Sequence, residues 1–318
     1  MTFLPTSRLA ATVVALSLLT TILPAEESRL SFYRGNLRAD KSENWRTRLW
    51  AIPYGNWNRL QSEEDTAGFR TDTFAVMAGF DRRRNSRFYW SWSGGGSWVS
   101  VSGDQGTVDK EIDTFKTMLR GTVEAKDWRF SLGGGYGHSA QDTERRSFSS
   151  WFRGHNRADQ WGFRSDFCLK VGVGLFEMEP FLAAECYTFS ESGYSENRIG
   201  GTGSTKSFGK QTEDSFATSI GVRYRWRQTG YLAVWRPELS AAWRHEFGSD
   251  KLFYSSPSDP FPTLYTFPDA RIRRDHLLVG VGLTGNLGST MDIFAQYTTA
   301  IAGNYTSHNI LCGTNWKF

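Results

Sequence analysis

The chain has 318 residues, 37 basic and 33 acidic, with a formal net charge of +4 and a mean hydropathy of −0.47. Aromatic residues make up 15%, glycines number 32 and prolines 9. This balance is too polar for a bundle of membrane helices, too aromatic for a disordered chain and too evenly charged for a nucleic-acid-binding face.

Residues 1–25 read as a secretory signal peptide: Arg8, an uncharged run from Leu9 to Leu23, then Ala25 before Glu26 and Glu27. Leu23 stands where a small residue is usual. An uncleaved anchor is the alternative, but a spanning helix needs about 20 apolar residues. Export agrees with sparse cysteine usage, since Cys168, Cys186 and Cys312 make no disulfide framework. Residues 26–44 form a short linker, long enough as a helix to thread roughly 30 Å of a pore.

From residue 45 the sequence repeats one pattern, about ten residues of alternating polarity followed by a turn. Twelve such segments fall near 45–60, 69–81, 86–101, 112–124, 128–141, 160–176, 180–192, 214–227, 233–247, 272–286, 290–302 and 307–318. In the sixth, Trp161, Phe163, Phe167, Leu169, Val171 and Val173 share one parity, and Arg164, Asp166, Cys168 and Lys170 share the other. Later, Phe216, Ile220 and Tyr224 oppose Ser215, Ser219 and Arg223, and Leu239 and Trp243 oppose Arg236, Glu238, Arg244 and Glu246. A helix would scatter such residues around its surface, whereas a strand sorts them onto two faces.

A soluble β-sandwich also alternates, but these segments exceed the usual five or six residues. Connections alternate between short (82–85, 125–127, 177–179, 228–232, 287–289) and long (61–68, 102–111, 142–159, 193–213, 248–271). Short turns on one side and long loops on the other mark an outer-membrane barrel. The expected fold is therefore all-β, a transmembrane antiparallel barrel of 12 strands over 45–318, in the bacterial outer membrane.

RPELSAAWRHEFG (236–248) resembles the proline-to-Trp-His-Glu-Phe strand of the autotransporter β-domain family. NWRTRLWAIPYGNW, MAGFD, EPFLAAECYTFSESGYSE, GVGLTGN and the terminal LCGTNWKF (311–318) resemble its successive elements. The resemblance covers about 44–318. It implies a twelve-stranded translocator of type V secretion, with a helix threaded through the pore to a secreted passenger. It also implies the barrel-assembly machinery and the Sec translocon as partners, beside the lipid bilayer, and no nucleic acid. Gly313, Trp316 and Phe318 fit the terminal signal read by that machinery, while Leu311 departs from its usual polar residue.

Sought chemistry is sparse. GVGLTG (280–285) matches a dinucleotide-loop spacing but lies within an alternating strand. The five histidines lack zinc spacing, His245 and Glu246 point to opposite faces, and no Gly-x-Ser-x-Gly elbow occurs. No enzyme activity, cofactor or metal is expected. The charges Arg164, Asp166, Lys170, Arg236, Glu238, Arg244 and Glu246 should face the lumen, either as a selectivity lining or helix contact, or simply pairing with each other. Cys168 and Cys186 are read on the lumenal parity, close enough to pair across one hairpin, or else remain two free thiols. With only about 20 residues before the barrel, the expected function is a translocator barrel with little or no passenger. The alternative is a passenger-less barrel acting as pore, adhesin or structural surface protein.

Overall fold

The computed structural model describes residues 46–318, apart from 64–66, 105–107, 148–149, 174–175, 203, 230–233, 256–260, 269 and 289. The expected signal peptide, the linker 26–44 and Trp45 lie outside the described residues.

The alternating segments are strands: β1 (Thr47–Leu60), β2 (Phe69–Arg83), β3 (Phe88–Gly103), β4 (Val108–Glu124), β5 (Trp128–Ser147) and β6 (Ser150–Leu169). They continue as β7 (Phe176–Glu191), β8 (Gln211–Trp226), β9 (Val234–Glu246), β10 (Asp275–Leu287), β11 (Met291–Ala302) and β12 (Tyr305–Lys317). Each pairs antiparallel with its neighbours in the chain, and β12 returns to β1, from Arg48 opposite Lys317 to Leu60 opposite Tyr305. The twelve-stranded sheet therefore closes and leaves no barrel edge for lipid to penalise.

Polarity is inverted relative to a soluble protein. Arg48, Lys116, Gln141, Arg223, Arg244 and Asn315 are buried inside, while Leu119, Leu132, Leu182, Ile220, Leu239 and Ile310 are exposed outside. Aromatic rings bracket that apolar band. Trp92, Trp128, Phe130, Phe176, Trp316 and Phe318 lie toward the short turns, and Trp57, Trp98, Phe115, Trp161, Trp243 and Phe247 toward the loops. The turn after β10 takes a positive φ of 69° at Gly288, and that after β11 one of 61° at Gly303, conformations that glycine adopts without strain.

Expectations about the connections change in several places, and 177–179, expected as a turn, belongs to β7, which begins at Phe176. The stretch 142–159 is not a loop: β5 and β6, each of 20 residues, continue as a hairpin as far as Ser147 opposite Ser150. Above the outer ring of aromatics both faces are wet, so the polar contrast between faces fades while the backbone ladder persists. Asn197–Gly200, from the β7–β8 connection, adds a short strand to the outer end of β6. A further change concerns 248–271, whose described residues fold inward rather than projecting from the cell.

Candidate functional site

One wall of the lumen carries a net of paired charges. Arg164 donates to Asp166 at 3.1 Å and to Glu185, and Arg120 reaches Asp166 at 2.8 Å. Arg223 pairs with Glu179 at 2.5 Å, Arg225 with Glu238 at 2.5 Å and with Glu179 at 3.1 Å. Arg244 reaches Glu246 at 3.3 Å and Glu185 at 3.6 Å, and Lys170 holds Glu124 at 2.6 Å. Strand parity turns all seven lumen charges named from the sequence inward. Six of them join this net, and Arg236 has no carboxylate within 4 Å among the described residues. Glu177, Glu179, Glu185, Arg223 and Arg225 also belong to it, and the period-two rule applied to β7 and β8 finds them. Opposite signs alternate along this wall, so it presents little net charge.

The lumen is not empty. The β9–β10 connection, 247–274, enters it and forms a small hairpin, Leu252–Tyr254 paired with Leu264–Thr266. Phe253, Ser255, Thr263, Leu264 and Tyr265 have no accessible surface, and Phe261 has 2%. The loop engages the walls on nearly every side. Asn58 of β1 donates to the Ser255 carbonyl at 3.3 Å, and Thr71 of β2 meets the Tyr265 hydroxyl at 3.1 Å. Lys116 of β4 donates to the Phe261 carbonyl at 2.8 Å and to Tyr54 of β1 at 2.9 Å. Gln160 of β6 clamps the chain twice, donating to the Pro262 carbonyl at 2.7 Å and accepting from the Leu264 amide at 3.0 Å. On the far wall Tyr254 donates to Glu246 of β9 at 2.8 Å.

Glycines make room for the tip. Gly135 of β5 and Gly162 of β6 face each other across the ladder, and the Phe261 ring fills the notch they leave. A Cβ on Gly135 would stand 2.9 Å from that ring, and one on Gly162 2.8 Å. Phe69, Phe253, Tyr265, Phe267, Ile272 and Tyr305 then form an apolar layer beneath the outer mouth. Each such side chain favours the docked loop by about 1.5–3 kcal/mol through burial. Sequence reading took this segment for an ordinary external loop. Its signal was its composition, since LFY and LYT are apolar triplets too hydrophobic for solvent.

The terminal residues lie at the seam. Trp316 and Phe318 point outward, Phe318 with 63% exposure, and the Phe318 amide donates to the Thr47 carbonyl at 3.0 Å. Gly313 faces inward beneath the Phe294 ring, 2.5 Å from where a Cβ would be. Cys168 and Cys186 do not meet. Cys168 pairs with Phe181 and Cys186 with Phe163, so one thiol is buried in the lumen and the other is exposed on the outer surface. Their hairpin pairs even numbers with odd ones, and two even-numbered residues fall on opposite faces.

The family model for the autotransporter beta-domain matches residues 49–298. The chain belongs to the autotransporter β-domain family. It resembles the translocator domain of autotransporter NalP from Neisseria meningitidis with a TM-score of 0.69 and 12% identity, over 98% of this chain and 97% of that one. The beta domain of the Bordetella autotransporter BrkA gives 0.63 and 12%, over 86% and 100%. An extracellular serine protease of Serratia marcescens is 22% identical over 278 residues, 85% of this chain and 26% of that protein. The chain thus spans about a quarter of the length of the curated relatives it matches. As a member of the autotransporter β-domain family it is a translocator-type barrel of the bacterial outer membrane.

Proposed function

We propose that this autotransporter-type barrel moves a passenger to the cell surface and that the loop 247–274 withdraws from the lumen to let it pass. The observation that supports this reading is the loop itself. Its hairpin spans the pore from Asn58, Lys116 and Gln160 to Glu246, across the path a passenger would take. An α-helix with its side chains is about 10–12 Å wide, and it would compete with Phe261 for the glycine notch. In this reading residues 1–25 direct export through the Sec translocon, and 26–44 link the signal to the barrel. Gly313, Trp316 and Phe318 present the terminal signal to the barrel-assembly machinery. The barrel performs no catalytic step; its charged wall keeps the lumen hydrated and rigid.

The test is a reporter passenger placed ahead of residue 26 in a Ser97→Cys/Thr263→Cys variant. The Ser97 and Thr263 hydroxyls are in hydrogen-bond contact, so a disulfide there would pin the loop to β3. The reporter should reach the surface under reducing conditions and stall in the periplasm when the bond forms. Equal display in both conditions would refute withdrawal of the loop. It would favour the second reading, a sealed barrel that acts through its outer face.

A further inference from the structure

Above the plug lies a cavity of about 920 Å³, walled by β4, β5, the end of β7, the start of β8, residues of 194–208 and both arms of the loop. Its lining includes Lys110, Arg145, Arg146, Lys206, Lys251 and Arg271, against two acids, Glu191 and Glu213. Both deep cations are fixed. Lys110 donates to Glu191 at 2.9 Å, and Arg145 grips Glu196 with two bonds of 2.8 and 2.6 Å while lying 4.3 Å over the Phe152 ring. Glu191 is saturated, since it also accepts from Asn156 at 2.6 Å and Thr266 at 2.9 Å. The Lys206 amide donates to Glu196 at 3.3 Å, but the ammonium groups of Lys206 and Lys251 have no carboxylate within 4 Å among the described residues, so their charge is offered to the cavity.

The rest of the wall is flat and apolar or carries hydroxyl and amide groups. Tyr194 and Phe208 stack at 4.8 Å on one side, and Phe267, packed against Phe69 at 5.0 Å, forms the floor. Thr143, Gln211 and Thr212 complete the rim. Rings beside cations and hydrogen-bonding groups suit a ligand with flat C–H faces, many hydroxyls and negative charge. We infer that this cup binds an acidic glycan. Lys110, Thr143, Arg145 and Glu191 sit on the inward rows of their strands, so the cup opens over the barrel axis and not toward the surrounding lipid. A headgroup in the membrane plane would have to leave it to enter; a glycan chain outside the cell would not.

The full-length barrel in nanodiscs is titrated calorimetrically with heparin as the acidic probe and dextran as the neutral one. Heparin should bind and dextran should not, with heparin affinity falling as salt rises because exposed charges are screened. Lys206→Gln/Lys251→Gln should weaken heparin about tenfold, as expected for losing two exposed charge contacts. Arg153→Gln, which breaks an outward-facing pair with Glu144, should leave binding unchanged. No heparin binding, equal affinity for dextran, or an unaltered double variant would each overturn the proposal. So would an equal loss in Arg153→Gln. Competition by lipopolysaccharide in the disc would assign the cup to a lipid headgroup and overturn it as well.

Discussion

Lys116 of the fourth strand donates to the Phe261 carbonyl at 2.8 Å, tying the tip of a loop between β9 and β10 to the opposite side of the lumen. The same ammonium reaches Tyr54 of β1 at 2.9 Å, so one side chain joins two walls and the plug. Charged hydrogen bonds of this kind contribute about 1.5–3 kcal/mol each. Lys116→Met should therefore release the tip without disturbing the outer surface. In planar bilayers the variant is expected to open far more often than the parent chain, and an unchanged opening frequency would remove Lys116 from the closure.

The glycine notch gives a test that leaves the loop sequence intact. Gly162→Val places methyl groups against both the Tyr187 ring, 2.3 Å from a Cβ there, and the Phe261 ring, 2.8 Å away, so the notch closes to the tip. The backbone pairing of Gly162 with Gly135 and Tyr187 is retained. Protease added to intact cells should cut the parent slowly within 248–271 and Gly162→Val quickly. Equal rates would mean that the loop already lies outside.

Closure should depend on pH through Tyr265. Burial pushes its hydroxyl from the ordinary value of 10.0 up to about 12. The docked loop holds the neutral form, so this contribution is complete below 10.0 and is lost as pH climbs through about 12. Conductance should rise between about pH 10 and about pH 12, and Tyr265→Phe should flatten the part of the rise owed to this hydroxyl. A rise identical in Tyr265→Phe would assign the response to other groups.

Phe318 separates stability from assembly. Phe318→Ala retains the backbone bonds to Arg46 and Thr47 and removes only an outward ring. A lipid-facing ring loses part of about 1.5–3 kcal/mol, a small fraction of what twelve paired strands supply. If the ring is an address, outer-membrane levels in cells should fall several-fold while refolding into detergent stays normal. Phe247→Ala, another exposed outward ring, away from the terminus, should leave levels unchanged. Equal behaviour of the two variants would reduce Phe318 to an interfacial aromatic.

The strands were legible because lipid and a wet lumen impose opposite polarities on adjacent residues. Leu239 and Trp243 against Glu238 and Arg244 is a contrast that no other environment demands so regularly. Where that contrast ends, so does legibility: Asp142, Glu144, Arg153 and His155 lie on β5 and β6 beyond the membrane, and their ladder leaves no polarity signature. The lumenal pairing of Cys168 with Cys186 failed on register, which depends on where a turn is centred. The plug stayed hidden because its contacts are long-range. Gln160 holds Pro262 and Leu264 from about a hundred positions away, and no local pattern encodes that. Its aromatic residues alone hinted at burial.

The central claim is that this outer-membrane barrel is closed by its own loop. Single-channel recording in planar bilayers, comparing the full chain with one in which 253–265 is replaced by a short Gly-Ser turn, tests it most directly. The full chain should be nearly silent and the shortened one should pass a steady current. A full chain that conducts as freely as the shortened one would contradict the account.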